Sequence, residues 1–477
     1  MRYRPVLFLL LILCVFGSAA PIAHASTYTV SCSISGNFLV ADNVLKQHND
    51  CVGDATIPAG VTSIQSSAFS NAIELTSVTF EVGSLLTTIG DSAFDGAYNL
   101  AVITIPAGVT SIGSRAFADV QSLTAIDIPA GVTSIGDRAF SVAIKLASVT
   151  FAAGSKLTRI GSYAFDDCFA LTSISIPATV TAIGSTPFAG TRALTAISVQ
   201  NGNTNYVSVD GVLFNKSKTQ LIAYPAGKTA SSYTVPTGVK SINTYAFSYA
   251  GLTSITIPPD VTSIGDYAFF YASGLTSISI PAKVATIGQY AFARMNSLKR
   301  VYFLGNKPVI GTDAFWLVTA ATAYIRSAAT GFPAIGADLA GLTVRVGVYN
   351  LIYETNGGTS ISSGLWLRDV AITAPKSPTR TSFYFAGWST SKSGSALAFP
   401  YLHGAQRDLT LYAKWTTSAP HALRQERRPE LQPARKHELQ PCACQQVPLQ
   451  CRHPQRTPPR SSHSWWMIRK LHMYGLE

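Results

Sequence analysis

The densest cluster of metal-ligating residue types in the chain is His437, Cys442, Cys444, Cys451 and His453. A structural zinc site needs ligands at spacings that a folded frame can close, and C-x-C-x6-C-x-H is not such a spacing. Asp166 and Asp167 are adjacent carboxylates in a turn, where solvation explains them without catalysis. Gly227-Lys228-Thr229 has the end of a phosphate loop, but Ile222 stands where the earlier glycine is required. Neither H-E-x-x-H nor G-x-S-x-G occurs. These absences argue against an enzyme and against a metal or other cofactor.

Composition sets the frame in which such groups would have to be held. Of 477 residues, 47% are hydrophobic and 13% charged, enough apolar surface for a large core. The formal charge of +12 suggests nucleic acid until it is located. Residues 416–477 hold ten Lys and Arg against four Asp and Glu, which is +6, and Arg2 and Arg4 add +2. The remainder is only mildly basic, and no nucleic-acid partner is expected.

Arg2 and Arg4, the apolar run Val6 to Phe16 and Ala23-His24-Ala25 form the three parts of a secretory signal, with cleavage expected after Ala25. No segment approaches the ~20 apolar residues of a membrane-spanning helix, so the mature chain is expected to be exported without a transmembrane span. Leu13 before Cys14 argues against a lipoprotein reading, where a small residue is needed. Export makes disulfides available, and a Cys32 to Cys51 bridge would close a loop over the first repeat; finding both thiols free would remove it. Cys168 sits at a repeat position that implies burial.

From Ile57 to Ile325 the sequence repeats every 22 to 25 residues, with one longer unit. Ile105-Pro-Ala-Gly-Val-Thr-Ser-Ile-Gly-Ser-Arg-Ala-Phe117 and Ile128-Pro-Ala-Gly-Val-Thr-Ser-Ile-Gly-Asp-Arg-Ala-Phe140 show the register. Leu123-x-x-Ile126-x-Ile128 reads as a short half-buried strand that Pro129 ends. Val132-x-x-Ile135 is a second apolar stretch, Gly136 suits a positive φ, and Asp137 reads as the cap of a single helical turn. The same slot holds Asp91, Ser114, Ser162, Ser185, Thr244, Asp266, Gln289 and Thr312, so its acids are structural. Phe69, Phe94, Phe117, Phe140, Phe165, Phe188, Phe247, Phe269, Phe292 and Phe315 follow in register, and stacked coils would place them in one internal column.

The pattern I-P-x-x-V-T-x-I-G-x-x-A-F-x-x-x-x-x-L resembles the BspA-like leucine-rich repeat of bacterial surface proteins. The units at Phe80 and Phe151 replace I-P with T-F-x-x-G-S, a variant of that family. Residues 348–415 resemble a Listeria-Bacteroides repeat through Tyr353-x-x-Asn356-Gly357-Gly358, Pro378-Thr379-Arg380, Phe385-Ala-Gly-Trp388 and Leu411-Tyr-Ala-Lys-Trp415, with Ser382 replacing the usual glycine. The resemblance implies a mainly β fold with short helical or 3-10 turns: a leucine-rich-repeat solenoid followed by a small β-grasp-like module.

The expected organisation is a signal peptide (1–25), an N-terminal cap (26–56), repeats (57–325) with an irregular unit (199–234), a linker (326–347), the second module (348–415) and a tail (416–477). The tail is rich in Arg, Gln, Pro and His without apolar periodicity. It reads as disordered, and its abrupt onset suggests a shifted reading frame. Gly211-Val-Leu-Phe214 and Leu221-Ile-Ala-Tyr224 in the irregular unit read as hairpin strands.

The resemblance implies a secreted or cell-surface adhesion protein that binds a protein or glycan. The outward strand positions Thr124, Ala125 and Asp127 lack aromatic anchors, which points to weak, multivalent contact. Two alternatives are a structural stalk and a hydroxyl array, Thr110, Thr133, Thr181 and Thr262, that contacts polysaccharide or ice.

Overall fold

A computed structural model describes residues 27–418. The expected signal peptide, the tail, its reading-frame shift and its Cys and His cluster lie outside the described residues. The described chain is built of short strands and turns and contains no helix.

One coil shows how the sequence makes the repeat. Ala125–Ile128 forms a strand whose Ile126 and Ile128 point inward and whose Ala125 and Asp127 are exposed. It pairs parallel and in register with Ser148–Phe151 of the next coil. After Pro129 the chain turns, buries Val132, and forms the two-residue strand Ser134–Ile135, paired parallel to Ser111–Ile112 before it and Arg159–Ile160 after it. The row of two-residue strands runs without a break from Ser63–Ile64 to Ala182–Ile183.

The segment after Gly136 is not the capped helical turn that the sequence suggests. The amides of Ala139, Ser141 and Ala143 close turns onto the carbonyls of Gly136, Arg138 and Phe140 at 3.1–3.3 Å. The amides between them leave the coil: Arg138, Phe140 and Val142 donate to Ser162, Ala164 and Asp166 of the next coil at 2.8 Å. A helix would keep all these amides for itself. Sharing alternate ones with a neighbour needs left-handed backbone at Arg138 (φ 57°) and Val142 (φ 62°).

Two slot assignments change accordingly. Asp137 caps no helix; its Oδ1 accepts the amide of Ser162 in the next coil at 2.8 Å, as Asp91 accepts Ser114 and Asp266 accepts Gln289. Gly136 does not supply a positive φ, which falls two residues later on Arg138. Its role is close approach: a Cβ there would lie 2.4 Å from the Ser114 amide nitrogen of the preceding coil. Gly90, Gly113, Gly161, Gly184, Gly265, Gly288 and Gly311 are held in the same way. The first coil of each array, with no regular coil before it, carries Gln65 or Asn243 in that slot.

Behind the turns the phenylalanines stack. Phe69, Phe94, Phe117, Phe140, Phe165 and Phe188 form one column with centroids 5.2–5.9 Å apart and planes within 10°. Phe247, Phe269, Phe292 and Phe315 form a second, at 5.0–5.2 Å. All ten rings are buried. Phe38 meets Phe69 edge-on and His48 lies parallel to it, closing the N-terminal end of the first column.

The columns are separate because the unit at 199–234 is a meander. Tyr206–Val209, Val212–Asn215 and Gln220–Ala223 pair antiparallel, and the last then pairs parallel with Ser241–Ile242. Leu213 packs into the core before this unit, while its neighbours Val212 and Phe214 pack into the core after it, as strand alternation dictates. Tyr224 replaces phenylalanine at the head of the second column, 5.1 Å from Phe247, and its amide donates to Ala246 as a phenylalanine amide does.

A meander also opens the solenoid. Thr27–Ser31, Ser35–Ala41 and Val44–Ile57 pair antiparallel, and Cys32 and Cys51 are joined by a disulfide. Cys168 is free, buried, and donates its Sγ–H to the Phe140 carbonyl.

Composition marks 326–347 as a linker, yet the segment is ordered into the sheet. Leu342–Glu354 pairs parallel with Thr322–Arg326 of the last coil and antiparallel with Asp338–Leu339. The same long strand then enters the C-terminal module, flanked by Gly364–Leu367 on one side and Leu409–Thr416 on the other, with Tyr384–Ser389 outermost. Trp388 is buried in that module's core, and the Trp415 indole donates to the Thr355 carbonyl at 3.0 Å.

Gly136→Ala is expected to destabilise the protein by about 1–3 kcal/mol or more, because backbone rather than a flexible side chain must yield. Gln65→Ala, in the same slot with no coil before it, should change stability by less than about 0.5 kcal/mol. Denaturant unfolding of both variants checks the contrast.

Candidate interaction surface

With Thr186 the buried exception, the left-handed residues of each turn carry side chains that reach the surface, so the rows they form are written in the repeat alignment. The first slot, two residues after the glycine, reads Ser67, Ser92, Arg115, Arg138, Tyr163, Thr186, then Tyr245, Tyr267, Tyr290, Asp313. The second, two after the phenylalanine, reads Tyr249, Tyr271, Arg294, Leu317 in the second array. The residue between the slots is Phe270 in one coil and Trp316 in another.

Coil stacking converts these rows into an aromatic band. Tyr245, Tyr267 and Tyr290 stack at 4.6 and 5.0 Å, and Tyr249 stacks on Tyr271 at 5.2 Å. Phe270 meets Tyr267 and Tyr271 edge-on. Arg294 lies 5.2 Å over Tyr271 and 4.7 Å over Trp316, and Arg192 lies 4.3 Å over Tyr249. Each tyrosine is half-exposed, while Trp316 and Leu317 are 39% and 46% exposed. Burial raises the pKa of Tyr245 and Tyr267, and a hydrogen bond to Asp313 raises that of Tyr290. These phenols therefore stay protonated and remain hydrogen-bond donors at physiological pH.

The first array presents a polar version of the same rows. Arg115 pairs with Asp95 at 2.9 Å, and Arg138 lies 4.7 Å over Tyr163. Burial, followed by the neighbouring Asp167, raises the carboxyl of Asp166 to about 7, while Arg138 opposes the shift. Asp166 and Asp167 are adjacent turn residues, both partly buried. No group of three or more His, Cys, Asp or Glu able to hold a metal occurs among the described residues.

The strand face is as plain as its sequence: Thr124, Ala125 and Asp127 are exposed. The threonines of the proposed hydroxyl array are exposed too, but each donates its hydroxyl to a carbonyl of the preceding coil. Thr110 donates to Thr87, Thr133 to Thr110, Thr181 to Thr158 and Thr262 to Lys240, at 3.1–3.4 Å. Their donors are committed within the solenoid, which explains the threonines without a ligand. Reading the sequence from the strand face missed the aromatic band; its signal was the recurrence of tyrosine two places after the slot of the close-approach glycine.

Stacked parallel coils of this kind define a leucine-rich-repeat solenoid with a C-terminal strand module. The chain belongs to the BspA type leucine-rich-repeat family, whose pattern matches residues 47–168, 87–220 and 223–332; the Listeria-Bacteroides repeat domain matches 349–414. Both repeat types are typical of bacterial surface proteins. A leucine-rich cell surface protein from Faecalibacterium prausnitzii is 30% identical, covering 64% of this chain and 86% of its own, with a TM-score of 0.52. The pneumococcal vaccine antigen PcpA is 24% identical over 63% of this chain and 94% of its own, with a TM-score of 0.46. A leucine-rich repeat protein from Eubacterium ventriosum is 26% identical over 63% and 78%, with a TM-score of 0.44. No curated protein matches the chain. No helix among the described residues is long and apolar enough to cross a membrane.

Asp166 gives a pH test. Its folded pKa of about 7 exceeds the ordinary 3.8, so its contribution to stability is complete below about pH 4 and is lost as the pH rises through 7. Asp166→Asn should flatten the stability profile across that window and leave the protein about 1–3 kcal/mol more stable than wild type at pH 8. Denaturant midpoints measured from pH 4 to 8 check this.

Proposed function

We propose that this protein is secreted or displayed at the bacterial surface as an adhesion or interaction protein, and that it holds a protein partner on the aromatic and arginine band of its second repeat array. The observation that carries the reading is the grouping of Tyr271, Arg294, Trp316 and Leu317 on adjoining turns, with Trp316 and Leu317 the most exposed of them. Tyrosine, tryptophan and arginine are the residues that dominate protein interfaces, because large rigid rings exclude water at little entropic cost. The strand face at Thr124, Ala125 and Asp127 offers no such anchors. A structural stalk would need neither the rings nor the guanidinium.

The test is binding of the purified chain to an array of matrix and cell-surface proteins. Trp316→Ala and Arg294→Ala should each weaken a positive signal by tenfold or more, while Thr124→Ala leaves it intact. Equal binding by all variants would move the contact elsewhere, and silence across the array would favour the stalk.

A further inference from the structure

The meander that separates the two arrays fills the core between them but supplies no outer turn of the regular kind. On the near side, Tyr163 and Phe165 donate their amides to the carbonyls of Ser185 and Pro187 in the next coil, whereas the following coil's Thr186 and Phe188 amides meet no such carbonyl among the described residues. On the far side, Asn243 stands where a glycine would be required if a regular coil preceded it. The result is a cleft of about 330 Å³ at the seam. Ser185 and Thr186 form one wall, Asn243 and Thr244 the other, and Tyr206, Gln220 and Ile222 line it between them.

The chemistry of this lining is specific. No charged side chain contributes to it, and its polar groups are hydroxyls and primary amides, each able to donate or accept. Thr186 is 7% exposed and its Oγ1 has no hydrogen-bond partner among the described residues, although it borders the cleft. An extended peptide would dock by adding to a strand edge. The edge available here is Ala182–Ile183, and the Tyr206 hydroxyl already accepts the Ile183 amide at 2.8 Å. The edge is closed, and Asn243 Oδ1 accepts the Ser241 hydroxyl at 3.2 Å, which leaves the Asn243 Nδ2 and the Gln220 amide to face a ligand.

We propose that the seam cleft is a binding site for a neutral saccharide of one or two rings. Its hydroxyl groups pair with the Asn243 and Gln220 amides and with Thr186, and its apolar ring face rests on Ile222. The volume suits a ligand of that size. The site is independent of the aromatic band, so it stands or falls separately from the protein-binding reading above.

Saturation-transfer NMR on the full chain tests it, with maltose, cellobiose, lactose and chitobiose as neutral probes, and sialyllactose and an extended hexapeptide as the charged and peptide controls. Transfer to at least one neutral disaccharide is expected. The affinity should fall tenfold or more in a protein carrying Asn243→Ala and Gln220→Ala, with its unfolding midpoint unchanged, and should be unaffected by Trp316→Ala. Absence of transfer to every neutral probe would overturn the proposal. So would stronger transfer to sialyllactose or the hexapeptide, or saccharide binding that the double variant retains.

Discussion

Each coil of this solenoid leaves alternate turn amides unpaired within itself, and only the next coil's carbonyls can take them. That constraint accounts for most of what is invariant along the array. It forces left-handed backbone at two positions per turn, because a right-handed helical turn would consume the same amides internally. It brings successive backbones so close that only glycine fits at the entry to each turn that has a regular coil before it. Asp91, Asp137, Asp266 and Ser162 beside those glycines have a related role, accepting the amide of the next coil, and the threonine hydroxyls donate to the coil before.

The phenylalanine columns supply the apolar half of the same arrangement. A single coil has one ring and nowhere to bury it. Rings about 5 Å apart cover one another, so burial is a property of neighbours rather than of units. The meanders at the start and middle of the array mark where that neighbour relation is interrupted, and Gln65 and Asn243 are its sequence trace. The substitution of tyrosine for phenylalanine at Tyr224 falls at the same junction, where the coil is irregular.

The family, the coil register and the inward strand positions were legible in the sequence, since period and alternation follow directly from burial on one side. The internal chemistry of the turn was not. Asp137 and Gly136 look like a helix cap and a positive-φ glycine because local sequence cannot show that another coil lies within 3 Å. The span 326–347 looked like a linker because its Ala and Gly content hides a strand completed by partners on both sides. The aromatic band escaped notice for a similar reason: Tyr245, Tyr267 and Tyr290 are isolated in sequence and become a surface only when the coils stack.

The central claim is that stability resides in the fit of each coil to the next. Two deletions test it most directly. Removing the 23 residues Ser114–Gly136 excises one whole period and joins Gly113 to Asp137 in register. Removing Ser114–Leu123 alone breaks the register while deleting fewer residues. The whole-period deletion should give a protein that still unfolds cooperatively in denaturant at a slightly lower midpoint, and the shorter deletion should abolish cooperative unfolding. Loss of folding in the first, or equal tolerance of both, would contradict the account.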